Sequence, residues 1–273
     1  MSGDVYGQPR EDCPHGGGSH PNQSVLSLPY GGHTRGSGSV VHGMTGKLPL
    51  IVVSHRKRMF LETALNSLRV FSRGLREPVI VDDSGSSAHR AWLAQRGYKV
   101  ASVGQDNEGY LSAMNKVWEV AYDLTPRSDY VFLWEEDFTL TRPLNVGLMA
   151  GVMDEHYDLA QLNVQRQPVY GVERRHGFIA SHEVRGYGIS KHRTGGVPWV
   201  RRERPFTTNP CLLRSSVLDV PWPTREEADQ CDGGAEPAMS LKLEPNYAFG
   251  WFGAADVPHS RHIGSNRKTG TGY

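Results

Sequence analysis

From Leu48 onward the chain alternates short apolar runs, rich in β-branched residues, with longer stretches whose apolar side chains recur at helical spacing. Leu48 to Ser54 (Leu-Pro-Leu-Ile-Val-Val-Ser) is the kind of run that forms a strand buried on both faces of a parallel sheet. Met59 to Phe71 then sets Leu61, Leu65, Leu68 and Phe71 near a helical period. Pro78 to Asp82 predicts a second strand, Ala88 to Arg96 a short helix, and Tyr98 to Ala101 a third strand. Leu111 to Tyr122 carries Leu111, Met114, Val117, Trp118 and Ala121 on one helical face. Tyr130 to Trp134 predicts a fourth strand, which runs straight into Glu135-Glu136-Asp137. This alternation predicts an α/β fold with a mostly parallel central sheet flanked by helices. Ligands of such sheets bind in the crevice beyond the carboxyl ends of the strands. The polar strand ends therefore matter most: Ser54-His55-Arg56, Asp82-Asp83-Ser84 and Glu135-Glu136-Asp137.

The second half is less regular. Leu159 to Val164 and Phe206 to Leu213 read as strands, and Ala235 to Leu243 as a helix followed by the aromatic run Tyr247 to Phe252. Between the two strands, Gln165 to Pro205 is rich in Gly and Arg and predicts a long loop. Its basic excess (Arg174, Arg175, Arg185, Lys191, Arg193, Arg201, Arg202 and Arg204) suits a clamp on a diphosphate, attraction of an anionic acceptor, or a solvated surface. Trp199, Trp222 and Trp251 suit packing, or stacking on a sugar or base.

Composition changes the picture at the N-terminus. Residues 1–46 are rich in Gly, Ser, His and Pro and poor in large apolar side chains, which predicts a flexible tail ahead of one domain spanning 47–273. The irregular spacing of His15, His20, His33 and His42 fits low-complexity sequence better than a metal site. The formal net charge is +1, so any anionic partner must be held locally. Cys13, Cys211 and Cys231 match neither a disulfide framework nor a zinc spacing. With no basic start leading into an apolar run and no apolar stretch long enough to span a bilayer, the expected setting is cytoplasmic, without a membrane span.

The sharpest chemical signal is Glu135-Glu136-Asp137. Carboxylates crowded at a crevice repel one another unless a cation joins them. Mg²⁺ and Mn²⁺ prefer carboxylate oxygens and are commonly shared with substrate phosphates. Asp82-Asp83-Ser84-Gly85-Ser86 suits a helix cap and turn, and equally a carboxylate contact to a nucleobase or ribose. Asn107-Glu108-Gly109 precedes a helix start near Tyr110. No strand is followed by a Gly-rich dinucleotide fingerprint or a Gly-Lys-Ser/Thr phosphate loop, which counts against dehydrogenase and P-loop readings.

Together these pieces resemble the GT-A glycosyltransferases, especially the family 2-like group. Val53-Ser54-His55-Arg56 resembles that group's entry motif, and Val81-Asp82-Asp83-Ser84-Gly85-Ser86 its nucleotide contact after the second strand. Asn107-Glu108-Gly109 with Ala113 and Asn115 is similar to its Asn-x-Gly helix start, and Glu135-Glu136-Asp137 stands where its Asp-x-Asp metal motif belongs. The resemblance implies a nucleotide-sugar donor, UDP-linked by preference, with Mn²⁺ or Mg²⁺. It implies nucleoside contacts from Ser54, Arg56, Asp82, Asp83, Asn107 and Gly109, and metal and ribose-diphosphate contacts from Glu135, Glu136 and Asp137. Glu135 replaces the group's usual first Asp, which makes Asp137 the safer metal ligand. Gly233-Gly234-Ala235-Glu236-Pro237 stands where a Glu-Asp pair supplies the general base, with Pro237 replacing the second acid. Glu236 is then the candidate base, with Asp232 and Asp229 behind it, for an inverting displacement. Late in the chain, His262 before Ile-Gly resembles the group's metal-bound histidine, with Arg267 and Lys268 downstream to close over a diphosphate.

The acceptor stays open among a protein hydroxyl, a hydroxylated DNA base, a glycan and a lipid-linked sugar. The ending from His262 to Tyr273 resembles small phage-encoded transferases, which implies a virion protein or a modified DNA base. Two other classes compete. A nucleotidyltransferase would share the sheet and acidic site, but Ser54-His55-Arg56-Lys57-Arg58 lacks the glycines expected after its first strand. A non-catalytic sugar- or nucleic-acid-binding module is kept in play by Pro237.

Overall fold

A computed structural model describes residues 46–106, 108–125, 128–203 and 205–264. The expected tail with its histidines, Cys13, Asn107, Arg204, Arg267 and Lys268 lie outside the described residues. The first half runs β1 (Leu50–Ser54), α1 (Arg58–Phe71), β2 (Ser72–Arg73), β3 (Val79–Asp82), α2 (Ser87–Gln95), β4 (Lys99–Ser102), α3 (Tyr110–Leu124) and β5 (Tyr130–Glu135). Then come β6 (Phe138–Leu140), β7 (Leu144–Asn145), α4 (Val146–Glu155), β8 (Leu159–Val164), α5 (Gly171–His176), α6 (Phe178–Val184), β9 (Ile189–Thr194) and β10 (Val197–Arg202). The chain continues through β11 (Cys211–Arg214), α7 (Arg225–Asp229), α8 (Ala235–Leu243), β12 (Ala248–Phe252) and β13 (Ser260–His262).

Among the described residues nine strands form one sheet, in the order β4-β3-β1-β5-β11-β8-β12-β10-β9. Only β11 and β10 run against their neighbours on both sides, so seven of the nine strands point the same way, as the alternation predicts. Side chains alternate across the sheet. Leu50, Val52, Ile80, Phe132 and Trp134 join a core under α1, α2 and α4, while Ile51, Val81, Val131 and Leu133 join one under α3 and α8. This parity decides where each strand-end polar residue goes.

Two expectations are corrected. The segment 165–205 is not one loop: it forms α5, α6 and the hairpin β9–β10, which extends the main sheet. Gly177 separates the two helices at φ 95°, and Gly195-Gly196, both at positive φ (55° and 83°), make the two-residue hairpin turn. The strand expected at Phe206 begins only at Cys211, and residues 205–210 form a loop. Of the two uses weighed for Trp199, Trp222 and Trp251, packing is the one found: all three are buried (at most 3 % exposed) and offer no stacking face. Helix α4, like β2, β6, β7, α7 and β13, was not anticipated. Helix α4 has two interior glycines and five buried apolar residues, and Asn145 caps it by accepting from Gly147 N at 3.0 Å.

Candidate active site at the carboxyl edge of the sheet

Two clefts open beyond the strand ends and share Tyr110 and Glu135. His55, Lys57, Asp83, Glu135, Glu136 and Asp137 line the first. Thr207, Thr208, Asn209, Gly233, Gly234 and Glu236 line the second, with Arg166, Tyr170 and His262 also in its wall.

The parity of the sheet sorts the acids. Glu135 continues the Val131–Leu133 face toward the N-termini of α3 and α8, where it meets Thr208 Oγ1 at 2.9 Å. Burial, then the neighbouring Asp137 and Glu236 carboxylates, hold its pKa well above the usual range. A cation entering here would relieve that repulsion. Glu136 turns the other way, accepting from Ser54 Oγ at 2.9 Å, and burial pushes it up to about 7. Asp137 sits in the turn after β5, with His262 Nε2 3.2 Å from its Oδ2. The His262 ring stacks on Phe138 at 4.6 Å, and β13 pairs with β6, so the histidine is positioned by both strand and ring. Gly264 packs so closely on Asp137 that any Cβ there would overlap the carboxylate.

Two predicted nucleoside contacts are corrected. Ser54 and Asp82 are fully buried, because their register places them together on the α1–α2 face. Ser54 Oγ meets His89 Nε2 at 3.1 Å as well as Glu136, and Asp82 lies 3.5 Å from Arg90 Nη1. They support the strand ends and touch neither cleft. Asp83, one residue on, lines the first cleft; its Oδ1 is buried with no hydrogen bond to a described residue, and burial raises its pKa. Arg56 is exposed, holds a left-handed backbone (φ 65°) and bonds the Ser84 carbonyl through Nε. Gly109 takes φ 84° as the N-cap of α3, a conformation only glycine adopts without strain.

In the second cleft, Glu236 lies in the first turn of α8, where the helix dipole favours a carboxylate. Its Oε1 accepts from Thr208 N and Thr208 Oγ1, both at 2.6 Å, and from Tyr110 Oη at 3.3 Å. Thr208 thus joins Glu135 and Glu236 through one hydroxyl. Asp229 and Asp232 are exposed and line neither cleft. The basic residues expected to clamp a diphosphate, from Arg174 to Arg202, line neither cleft as well.

Sequence reasoning missed the support beneath Thr208. Gln161 Nε2 donates to the Thr207 carbonyl at 2.6 Å, and Asn163 Nδ2 to the Asn209 carbonyl at 2.9 Å. Arg202, buried and stacked on Trp251 at 4.2 Å, donates to both amide oxygens, and burial lowers its pKa to about 9. The signal was two polar residues at alternate positions inside an apolar strand.

No protein-family model matches the chain, and no characterised protein is matched by sequence. Among solved structures it is similar to S. aureus TarS 1–349 in complex with UDP, at 17% identity and TM-score 0.48, over 79% of this chain and 60% of that one. It is also similar to TarS 1–349 in complex with UDP-GlcNAc, at 17% and 0.48 over 81% and 62%. A third is the mannosyltransferase PcManGT from Pyrobaculum calidifontis in complex with GDP-Man and Mn²⁺, at 13% and 0.49 over 77% and 55%. The chain spans less than two thirds of each. These likenesses are distant, and the chemistry of the site rests on this chain's own residues.

Proposed function

We propose that the protein is a metal-dependent glycosyltransferase of the GT-A type. It would move a sugar from a nucleotide-sugar, a UDP-sugar by the sequence resemblance, to an acceptor hydroxyl with inversion. The observation that carries this is the meeting of Glu135, Asp137 and Glu236 where the two clefts join, with Thr208 linking the outer pair. The first cleft takes the nucleoside diphosphate, with Asp83 and His55 at the nucleoside end and Lys57 available to the phosphates.

The residues fit a divalent cation. Donors on adjacent positions of an octahedral ion stand about 3 Å apart, and Asp137 Oδ2 and His262 Nε2 are 3.2 Å apart. Among the described residues no three His, Cys, Asp or Glu are grouped to hold an ion unaided, so donor phosphates and water would have to supply the remaining ligands. The imidazole favours Mn²⁺ over Mg²⁺. When bound, the cation neutralises charge on the leaving diphosphate. Glu236 acts as the base: all its hydrogen bonds to described residues go to Oε1, which leaves Oε2 for the acceptor hydroxyl.

The test is release of nucleoside diphosphate from a panel of nucleotide-sugars with Mn²⁺, with Mg²⁺ and with EDTA. One donor should be turned over, only with metal, and Asp137→Ala should abolish it. Metal-independent turnover would remove the metal assignment. No turnover and no metal-dependent binding of any donor would sink the transferase reading.

A further inference from the structure

The second cleft has a built wall that the catalytic groups do not explain. Tyr170 lies in it and is 60 % exposed, so its ring is open to a ligand within the cleft. It is held there firmly. Arg166, almost fully buried, lies 5.5 Å from the Tyr170 ring and 4.7 Å from Phe178, and forms two bonds of 2.8 Å to Glu173. Glu173 Oε2 also accepts from Val169 N at 2.8 Å and Tyr170 N at 3.2 Å. Gln167 N bonds the Ser260 carbonyl at 2.8 Å, which ties this segment to the strand that carries His262. A buried ion pair thus holds the backbone at Tyr170, whose exposed ring lines the same cleft as Glu236.

The charge of this cleft is equally informative. Among the described residues its one Lys or Arg side chain is Arg166, already matched by Glu173, while Glu135 and Glu236 contribute two carboxylates. The remaining polar groups are the hydroxyls of Thr207 and Thr208, the amide of Asn209 and the backbone of Gly233 and Gly234. The described side chains of such a surface offer no basic clamp for a polyanion and present hydrogen bonds to neutral hydroxyls. The apolar C–H face of a sugar ring matches an open aromatic face.

We propose that the second cleft is an acceptor subsite for a neutral saccharide, with Tyr170 as its stacking platform, and that nucleic acids and acidic glycans are excluded. Its role as an acceptor site rests on the transferase reading; the binding surface does not. Ligand-detected NMR on the full chain would use maltotetraose, cellotetraose and chitotetraose as neutral probes. A heparin tetrasaccharide and a 12-nucleotide single-stranded DNA would be the anionic probes.

At least one neutral probe should bind, and Tyr170→Ala should weaken it by about tenfold. Tyr170→Phe keeps the ring and should stay within about threefold of the parent. Tighter binding of an anionic probe than of every neutral one, no neutral binding at all, or neutral binding unchanged in Tyr170→Ala would each overturn the proposal. Tyr170 is exposed, so equal melting temperatures for the two variants confirm that the loss is local. Neutral binding with neither turnover nor metal-dependent binding of any donor would overturn the transferase reading and leave this subsite standing.

Discussion

At the level of single residues, the acids divide by what touches them. Glu236 keeps one oxygen bonded to Thr208 and Tyr110 and the other without a bond to described residues, the arrangement a base needs. Glu236→Gln preserves the acceptor oxygen toward Thr208 and removes the basicity. Transfer should fall by about 10²–10⁴-fold while the donor KM stays within a small factor, measured by steady-state kinetics. Glu136 plays another part. Its folded-state pKa of about 7 lies above the unfolded value, so the folded protein holds a proton that the unfolded chain releases. Stability from this group is present at low pH and lost as pH rises from the unfolded value through about 7. The loss is on the order of 2–3 kcal/mol for a group this buried. Denaturant unfolding at pH 5 and pH 8 should show that loss in the parent and a smaller one in Glu136→Gln. An equal drop in both proteins would refute the assignment. The strand-end acids were legible because they follow an apolar run. Which acid faces the cleft was not, since Asp82 and Asp83 differ only in parity, and parity is set by pairing with β1 and β4.

At the level of elements, the first half was legible because β1, β3 and β5 are short apolar runs and α1 and α3 each have one apolar face. Helices α1 and α3 and strands β1, β3 and β5 fall within one or two residues of the pattern. The second half hid for physical reasons. Helices α5 and α6 have six and seven residues, too short to show a period, and two glycines interrupt α4. The Phe206 run looks like a strand, but Gln161 and Asn163 take up the loop backbone at 207 and 209 and Ser240 Oγ accepts from Phe206 N at 2.6 Å. Strand β12 shows how tightly this half is packed. A Cβ on Gly250 would come within 2.9 Å of Leu162 Cδ1 and 3.2 Å of the Val200 carbonyl oxygen. The leucine can turn aside, but the backbone of β10 cannot. Gly250→Ala should cost about 1–3 kcal/mol, read as a lower denaturation midpoint at unchanged slope. Unchanged stability would mean that β10 and β12 pair more loosely than their register indicates.

At the scale of the whole molecule, the site lies at the junction of two parts of one sheet. Strands β4, β3, β1 and β5 are parallel neighbours and carry the donor-side groups, whereas the strands from β11 to β9 support Thr208 and, through α5, Tyr170. The two sides meet where β5 pairs with β11, the change from parallel to antiparallel. A ligand confined to one cleft should therefore stiffen one side more than the other. A nucleoside diphosphate with Mn²⁺, at a hundred times its dissociation constant, stabilises the folded state by about 2.7 kcal/mol. For a domain of this size that corresponds to a rise of roughly 5–10 °C in melting temperature. The rise should vanish in Asp137→Ala or with EDTA. Hydrogen exchange in the same complex should slow at residues 53–57, 83 and 135–137, and change little at 166–170, where only the acceptor is expected to bind. Equal protection at 166–170 would show that the diphosphate crosses into the second cleft. The division of labour between the two sides of the sheet would then be wrong, even with the transferase chemistry intact.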